Sequence, residues 1–393
     1  MNIGLFTDTY YPQVSGVATS IKTLRNQLER LGHTVYVFTT TDPNVKKNVY
    51  EPNTYRFTSI PFISFTDRRI AVRGFFHALQ VARELQLDIV HTQTEFSLGL
   101  MGKFVAKNMK IPCVHTYHTM YEDYLHYVAK GKLLRPYHVK QMTKSFCQHM
   151  SGIVAPSDRV LKTLSDYGMS APISVIPTGV DLARFKKKGN PAELRAKLGI
   201  KDDEPVILTL SRLAFEKDID KLIAAFPRIL ELVPTAKLVI VGDGPAKNAL
   251  MDQVDQLALN DRVIFTGEIS NDKVTDYYHI ANLFVSTSVS ESQGLTYIEA
   301  LASGLRVLAT HSPYTDKLLD NPCLGATFQD LDEMVNDVYD YLTRPGLKMD
   351  PNVQQKKLTA ISANEFGERI VKFYADSSEY YLKHIASGEP SEI

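Results

Sequence analysis

Short runs rich in β-branched and aromatic residues alternate along almost the whole chain with stretches long enough for a helix. In the first half these runs are NIGLFT (2–7), TVYVFT (34–39), DIVHTQ (88–93), PCVHTY (112–117), GIVAPS (152–157) and ISVIPT (173–178). The second half repeats the rhythm with PVILTL (205–210), KLVIVG (237–242), RVIFTG (262–267), NLFVST (282–287) and RVLAT (306–310). Strand–helix alternation demands βαβ units, hence parallel sheets covered by helices on both faces. Eleven strands exceed one comfortable open sheet, and the rhythm breaks at 179–204, a charged stretch with glycines and prolines that reads as a linker.

The expected fold class is therefore α/β: two Rossmann-like, doubly wound parallel-sheet domains facing a central cleft. The expected domains are 1–180 and 181–363, with a helical segment 364–385 returning to the first domain and a disordered tail. In open α/β sheets ligands bind beyond the carboxyl ends of the strands, so functional residues should follow strands directly.

A length of 393 residues suits two or three domains. No apolar run approaches the roughly 18 residues of a spanning helix, and the start, MNIGLFTDTY, has neither the basic nor the long apolar region of a signal peptide. Cys113, Cys147 and Cys323 are too widely spaced for a disulfide framework or a zinc pattern. A cytoplasmic protein is the simplest expectation. The zero net charge hides an asymmetry: residues 1–185 hold 21 Lys and Arg against 13 Asp and Glu, the remainder 23 against 31. The basic half is expected to meet something anionic, with headgroups, nucleotide phosphates and the acidic half all candidates. No nucleic-acid module accompanies the basic residues.

Several post-strand segments carry chemistry. In PQVSGVATS (12–20), Gly16 opens a helix, where backbone N–H groups can approach a phosphate, although a glycine there is more often only a turn. In SRLAFEKD (211–218), Arg212 and Lys217 flank a loop as a fork and a point charge fit for a diphosphate; solvated surface cations read equally well. VGDGP (241–245) reads as a tight turn with structural glycines and Asp243 as a cap. HTYHTMYEDYLHYV (115–128) sets His115 and His118 at a strand end, able to bind a sugar hydroxyl or to be neutral core histidines; a metal site with His126 lacks any carboxylate–histidine spacing. Tyr121, Tyr124 and Tyr127 could line an acceptor pocket or serve as core.

ESQGLTYIEALASG (291–304) holds two glutamates eight positions apart. On one helix that is about 80° of rotation and about 12 Å of rise, too far for an acid/base pair on one atom. With Glu291 on the loop and Glu299 two turns inside the helix, each faces a different part of one elongated ligand. The spacing alone fits two solvated carboxylates equally.

Together these segments, with VIPTGVD (175–181) and FTGEIS (265–270), resemble the retaining GT-B glycosyltransferases of family four, over nearly the whole chain and in the family's order. The resemblance implies nucleotide-sugar chemistry without a metal or other cofactor. Arg212, Lys217 and the Gly16 amide would hold the donor diphosphate. Glu299 would bind the ribose hydroxyls, and backbone around Glu268 and Ile269 would read the base. Glu291 would contact the donor sugar, with the Gly294 and Leu295 amides near sugar and phosphate and His118 at the reacting face. The chain departs from the commonest pattern at Ser15, Asp218, Thr178 and Gln293.

Within the family the likeness is to diacylglycerol glucosyltransferases, implying UDP-glucose as donor, diacylglycerol as acceptor and attachment to the inner face of the membrane. Residues 65–86, with Arg68, Arg69, Arg73 and Arg83 among Phe75, Phe76 and Leu79, read as a basic amphipathic helix fit for an anionic bilayer or, equally, as an ordinary half-buried helix; 130–144 adds five cations. The alternatives are a soluble or polysaccharide acceptor, another nucleotide sugar, an epimerase on a similar scaffold, or a non-catalytic membrane-attached binding module. Neither Asp-x-Asp run, at 218–220 or 330–332, is read as one that would carry a metal, and no second close carboxylate is seen; retention would then proceed by attack on the face the diphosphate leaves.

Overall fold

The computed structural model describes residues 1–13, 15–45, 51–62, 65–122, 135–186, 189–291, 293–344 and 348–386. The chain divides into two compact units, one formed by Met1–Gly179 with the segment starting at Ala363, the other by Val180–Ser362.

The first unit contains β1 (Asn2–Thr7), β2 (Thr34–Thr40), β3 (Thr54–Phe57), β4 (Ser59–Phe62), β5 (Phe65–Ala71), β6 (Ile89–Thr92), β7 (Cys113–Thr116), β8 (Gly152–Ala155) and β9 (Ile173–Val175). Seven of these form a sheet in the order β3-β2-β1-β6-β7-β8-β9, every pair parallel, while β4 and β5 make a separate antiparallel ribbon. Every residue of β6, β7 and β8 is buried, as a parallel sheet covered on both faces requires. Strand order reverses between β1 and β6.

One face of this sheet is closed from the far end of the chain. The helix Ala363–Tyr380 buries Phe366, Ile370, Phe373 and Tyr374 in a core shared with Ile3, Leu5, Ile21 and Val154. Close approach needs two glycines: a Cβ at Gly367 would stand 2.7 Å from that of Gln27, and one at Gly152 2.8 Å from the Phe373 ring. The Tyr374 hydroxyl meets buried His91 Nδ1 at 2.7 Å.

The second unit contains β10 (Val206–Leu210), β11 (Lys237–Val241), β12 (Val263–Gly267), β13 (Leu283–Ser286), β14 (Arg306–Thr310) and β15 (Gly325–Phe328), parallel and ordered β12-β11-β10-β13-β14-β15. Its order reverses between β10 and β13. No helix among the described residues is long and apolar enough to cross a membrane.

Three expectations need correction. Residues 65–86 are not one helix: 65–71 form β5, Gly74 sits at φ 118°, and only Phe75–Glu84 is helical. A left-handed glycine ends the extended run and starts the helix. Strands β3, β4, β5 and β15 escaped the sequence reading. The supposed linker at 179–204 is structured in part, with helices Leu182–Lys186 and Pro191–Lys197, and it buries Phe185 and Ile200 in the second unit's core. Arg195 fastens it by donating to the carbonyl of Ile280 at 2.9 Å.

Candidate active site

The second unit's reversal point lies between β10 and β13, so the loops following these two strands are neighbours, as the switch-point rule demands. The loop after β10 carries Arg212 and Lys217. Its backbone is held by the turn after β11: Leu213 N donates to Asp243 O at 2.9 Å and Ala246 N to Leu213 O at 2.9 Å. This contact explains VGDGP. Gly242 and Gly244 have φ of 139° and 155°, and an added Cβ would lie 1.9 Å from Ser211 O or 2.4 Å from Leu213 O. Asp243 accepts from Lys247 Nζ at 2.7 Å and from the Gly244 amide at 2.8 Å, contacts that hold its carboxyl below the usual range.

Arg212 is exposed on this loop, and Lys217 ends a short 3₁₀ turn, Phe215–Lys217. Asp218 follows in the left-handed region at φ 51°, which accounts for glycine at this position in the commonest family pattern. Two hydroxyls lace the neighbouring loop to this one. Thr287 Oγ1 donates to Asp218 O at 2.7 Å, and Ser290 Oγ to Glu216 O at 3.2 Å. The lacing brings Glu291 to Lys217, whose Nζ donates to Glu291 Oε1 at 2.6 Å. A cation suited to phosphate and a carboxylate suited to sugar hydroxyls are thus one hydrogen bond apart.

Gly294 then starts the helix Leu295–Ala302 at φ 63°; a Cβ there would stand 2.6 Å from the Tyr297 ring. Glu291 is on the loop and Glu299 in the helix, just over one turn inside rather than two. Glu299 is 8% exposed. Burial pushes its carboxyl up to about 7, opposed by a hydrogen bond from the Tyr278 hydroxyl to Oε2 at 2.8 Å and by the charge of Arg184. The loop after β12 places Glu268 exposed and Ile269 half-buried against the core, following Gly267 at φ 73°, whose carbonyl accepts from Gly242 N at 3.0 Å.

The remaining expected residues belong to the first unit. Gly16 is the exposed first residue of the helix Gly16–Arg30, with the Ser15 hydroxyl capping the Ala18 amide at 3.1 Å. His118 Nε2 donates to Gln93 Oε1 at 2.8 Å. His115 is fully buried, with Nδ1 3.0 Å from Thr92 O and Nε2 3.2 Å from Glu95 Oε1, while Tyr121 OH donates to the other Glu95 oxygen. It is a hydrogen-bonded core histidine. Tyr124, His126 and Tyr127 lie outside the described residues. Among those described, no three His, Cys, Asp or Glu side chains gather as metal ligands.

Five residues that support the post-strand segments of one unit or the other were missed from sequence. Thr287 and Ser290 belong to the hydroxyl-rich run STSVS after β13, a signal that was available. Asp8, directly after β1, accepts from Thr94 Oγ1 at 2.6 Å, from Ser97 Oγ and from Leu98 N at 3.1 Å, and so caps the helix Ser97–Met109. Gln93 and Tyr278 gave no local sign.

Two parallel-sheet units, each with a reversal of strand order, have the architecture of a GT-B glycosyltransferase. Residues 14–184 match Glycosyltransferase Family 4 and residues 191–332 match Glycosyl transferases group 1. The chain is 47% identical over 396 residues to the alpha-monoglucosyldiacylglycerol synthase of Streptococcus pneumoniae, covering 99% of this chain and 89% of that protein. It is 36% identical to the synthase of the same name from Acholeplasma laidlawii, covering 85% and 86%. Among solved structures, Anabaena HepE in complex with UDP and glucose superimposes with a TM-score of 0.76 at 18% identity, covering 95% of this chain and 99% of that one. Sucrose-phosphate synthase from Thermosynechococcus elongatus does so with a TM-score of 0.76 at 22% identity, covering 95% and 98%. The chain belongs to glycosyltransferase family 4.

Proposed function

We propose that this enzyme transfers glucose from UDP-glucose to the free hydroxyl of 1,2-diacylglycerol, with retention at the anomeric carbon, yielding monoglucosyldiacylglycerol. The contact between Lys217 and Glu291 is the observation that carries the reading. It sets a diphosphate ligand beside a sugar ligand, with the carboxylate of Glu299 buried in the helix that follows. The acceptor and sugar rest on the two relatives, whose names give a glucosyl group and diacylglycerol.

In this mechanism Arg212 and Lys217, with the Gly16 amide, stabilise charge that develops on the departing diphosphate. Glu291 and the Gly294 and Leu295 amides orient the glucose, Glu299 holds the ribose, and the backbone at Glu268 and Ile269 reads the base. His118 contacts the sugar at the reacting carbon. The acceptor hydroxyl attacks on the face from which the diphosphate leaves, and a phosphate oxygen takes its proton.

We assign membrane contact, at the inner face, to the first unit. Ile60, Val72, Phe76 and Leu100 are exposed there, Phe76 to 80%, on neighbouring elements that also carry exposed Arg73. Apolar side chains beside cations suit an anionic bilayer. The test offers radiolabelled UDP-glucose with diacylglycerol in mixed micelles, alongside water-soluble acceptors. Label should enter the organic phase as an α-glucoside. Label passing only to soluble acceptors overturns the lipid assignment, and donor conversion without any acceptor supports an epimerase.

A further inference from the structure

The side chain beneath Glu299 has no assigned role. Tyr278 lies on the helix Val274–Ile280, which begins five residues after Ile269, and its ring is wholly buried. The ring edge meets Phe185 at 5.9 Å and 73°, and it tilts against Phe284 at 6.0 Å. These contacts fix where the hydroxyl points: 2.8 Å from Glu299 Oε2 and 3.4 Å from Thr296 O. Among the described residues Tyr278 is the one side chain that donates a hydrogen bond to this carboxylate.

We propose that Tyr278 is a positioning residue for nucleotide recognition: its hydroxyl holds one Glu299 oxygen and leaves the other to the ribose hydroxyls. The proposal rests on the reading that Glu299 binds the ribose. A free carboxylate in a buried site either rotates or takes a proton, and in both cases ceases to accept from a vicinal diol; one fixed donor opposes both changes.

The surrounding charges leave this role to Tyr278. On the helix Leu182–Lys186, Arg184 acts on Glu299 through its field, while its Nη2 donates to Asn271 Oδ1 at 2.9 Å and its guanidinium lies 5.1 Å from the Phe185 ring. Lys186 on the same helix donates to Gln355. On the helix Pro351–Thr359, Lys357 pairs with Asp320 at 2.7 Å and Lys356 is exposed. Arg306, at the start of β14, lies 5.4 Å from the Tyr341 ring. Burial nevertheless holds the Glu299 carboxyl near 7, so its ability to accept from ribose depends on pH around neutrality.

The experiment measures binding of UDP and of 2′-deoxy-UDP to the full-length protein by calorimetry from pH 6 to 9, for wild type, Tyr278→Phe and Glu299→Gln. Wild type should prefer UDP, and the preference should fade below pH 7. Tyr278→Phe should bind UDP about tenfold more weakly at pH 7, lose most of its preference over the deoxy analogue, and recover part of both by pH 9 as the unsupported carboxylate ionises. Wild-type behaviour in Tyr278→Phe, or an equal loss for both nucleotides at every pH, overturns the positioning role. Glu299→Gln separates the two layers: if it keeps the wild-type preference for UDP, the ribose assignment itself is wrong. Should Tyr278→Phe fold poorly, 3-fluorotyrosine at 278, a near-isosteric and stronger donor, should move the fading of preference to lower pH, and an unmoved midpoint overturns the positioning role.

Discussion

The two units place polar side chains in equivalent positions, beyond the strand ends at a reversal of strand order, and use them in opposite ways. In the first unit Asp8 and Glu95, which follow β1 and β6, are buried and engaged with hydroxyls, an amide and an imidazole of their own neighbourhood. In the second, Arg212 is exposed and the Lys217–Glu291 pair, only partly buried, joins two hydroxyls in tying the loops together. Equivalent positions in one kind of sheet therefore hold buried scaffold in one unit and, in the other, the exposed charges to which we assign the chemistry. Loss of a charge in the first should cost stability, and loss of one in the second should cost turnover.

The largest effect should come from Arg212→Ala. If its cation serves the departing diphosphate, kcat falls by about 10²–10³, far more than donor affinity, and the melting temperature stays within about 1 °C; equal losses in kcat and affinity would remove that role. Asp8→Ala tests the other half of the contrast. Three donors lose their acceptor, a cost of about 2–4 kcal/mol, seen as a fall of about 5–10 °C in thermal unfolding, with UDP affinity unchanged. A stable variant with impaired nucleotide binding would reverse the assignment of roles.

Glu299→Gln sharpens the comparison, because this buried acid lies in the second unit yet burdens the fold. The native carboxyl titrates near 7, above the usual 4.5, so the folded state binds a proton that the unfolded chain has released. Stability then falls as pH rises from about 4.5 to 7, and the cost is fully present above 7. The glutamine variant lacks it and should exceed wild type by about 3 kcal/mol at pH 8, with little margin at pH 4.5. A margin independent of pH would mean that Glu299 does not titrate there. The smallest effect is expected for Asp218→Gly: relief of a left-handed side chain offsets loss of the 2.8 Å pairing with Lys221, leaving stability within about 0.5 kcal/mol.

Much of this was legible in the sequence because strand and helix periods are local. Glu291 and Glu299 came out on loop and helix because QGL between them breaks one element and starts the next. The short strand β15 (GATF) and the β4–β5 ribbon escaped because their apolar content is slight, and Gly74 hid in a run that otherwise scans as amphipathic helix. The stretch 179–204 looked like a linker because its charges outnumber the two apolar residues, Phe185 and Ile200, that anchor it. Tyr278 and Gln93 could not be found that way. Their meaning lies in what stands opposite them, 21 and 25 positions further along the chain, and no local pattern encodes a partner at such range.

The helix Ala363–Tyr380 also sets an order of events during synthesis. The unit begun first is completed last: one wall of its core, Phe366 to Tyr374, leaves the ribosome only after the whole of Val180–Ser362. Val180–Ser362 is contiguous and can close its core while the earlier strands still wait. A ribosome stalled before residue 363 would present the second unit fully formed beside a first sheet with one apolar face bare to chaperones and proteases.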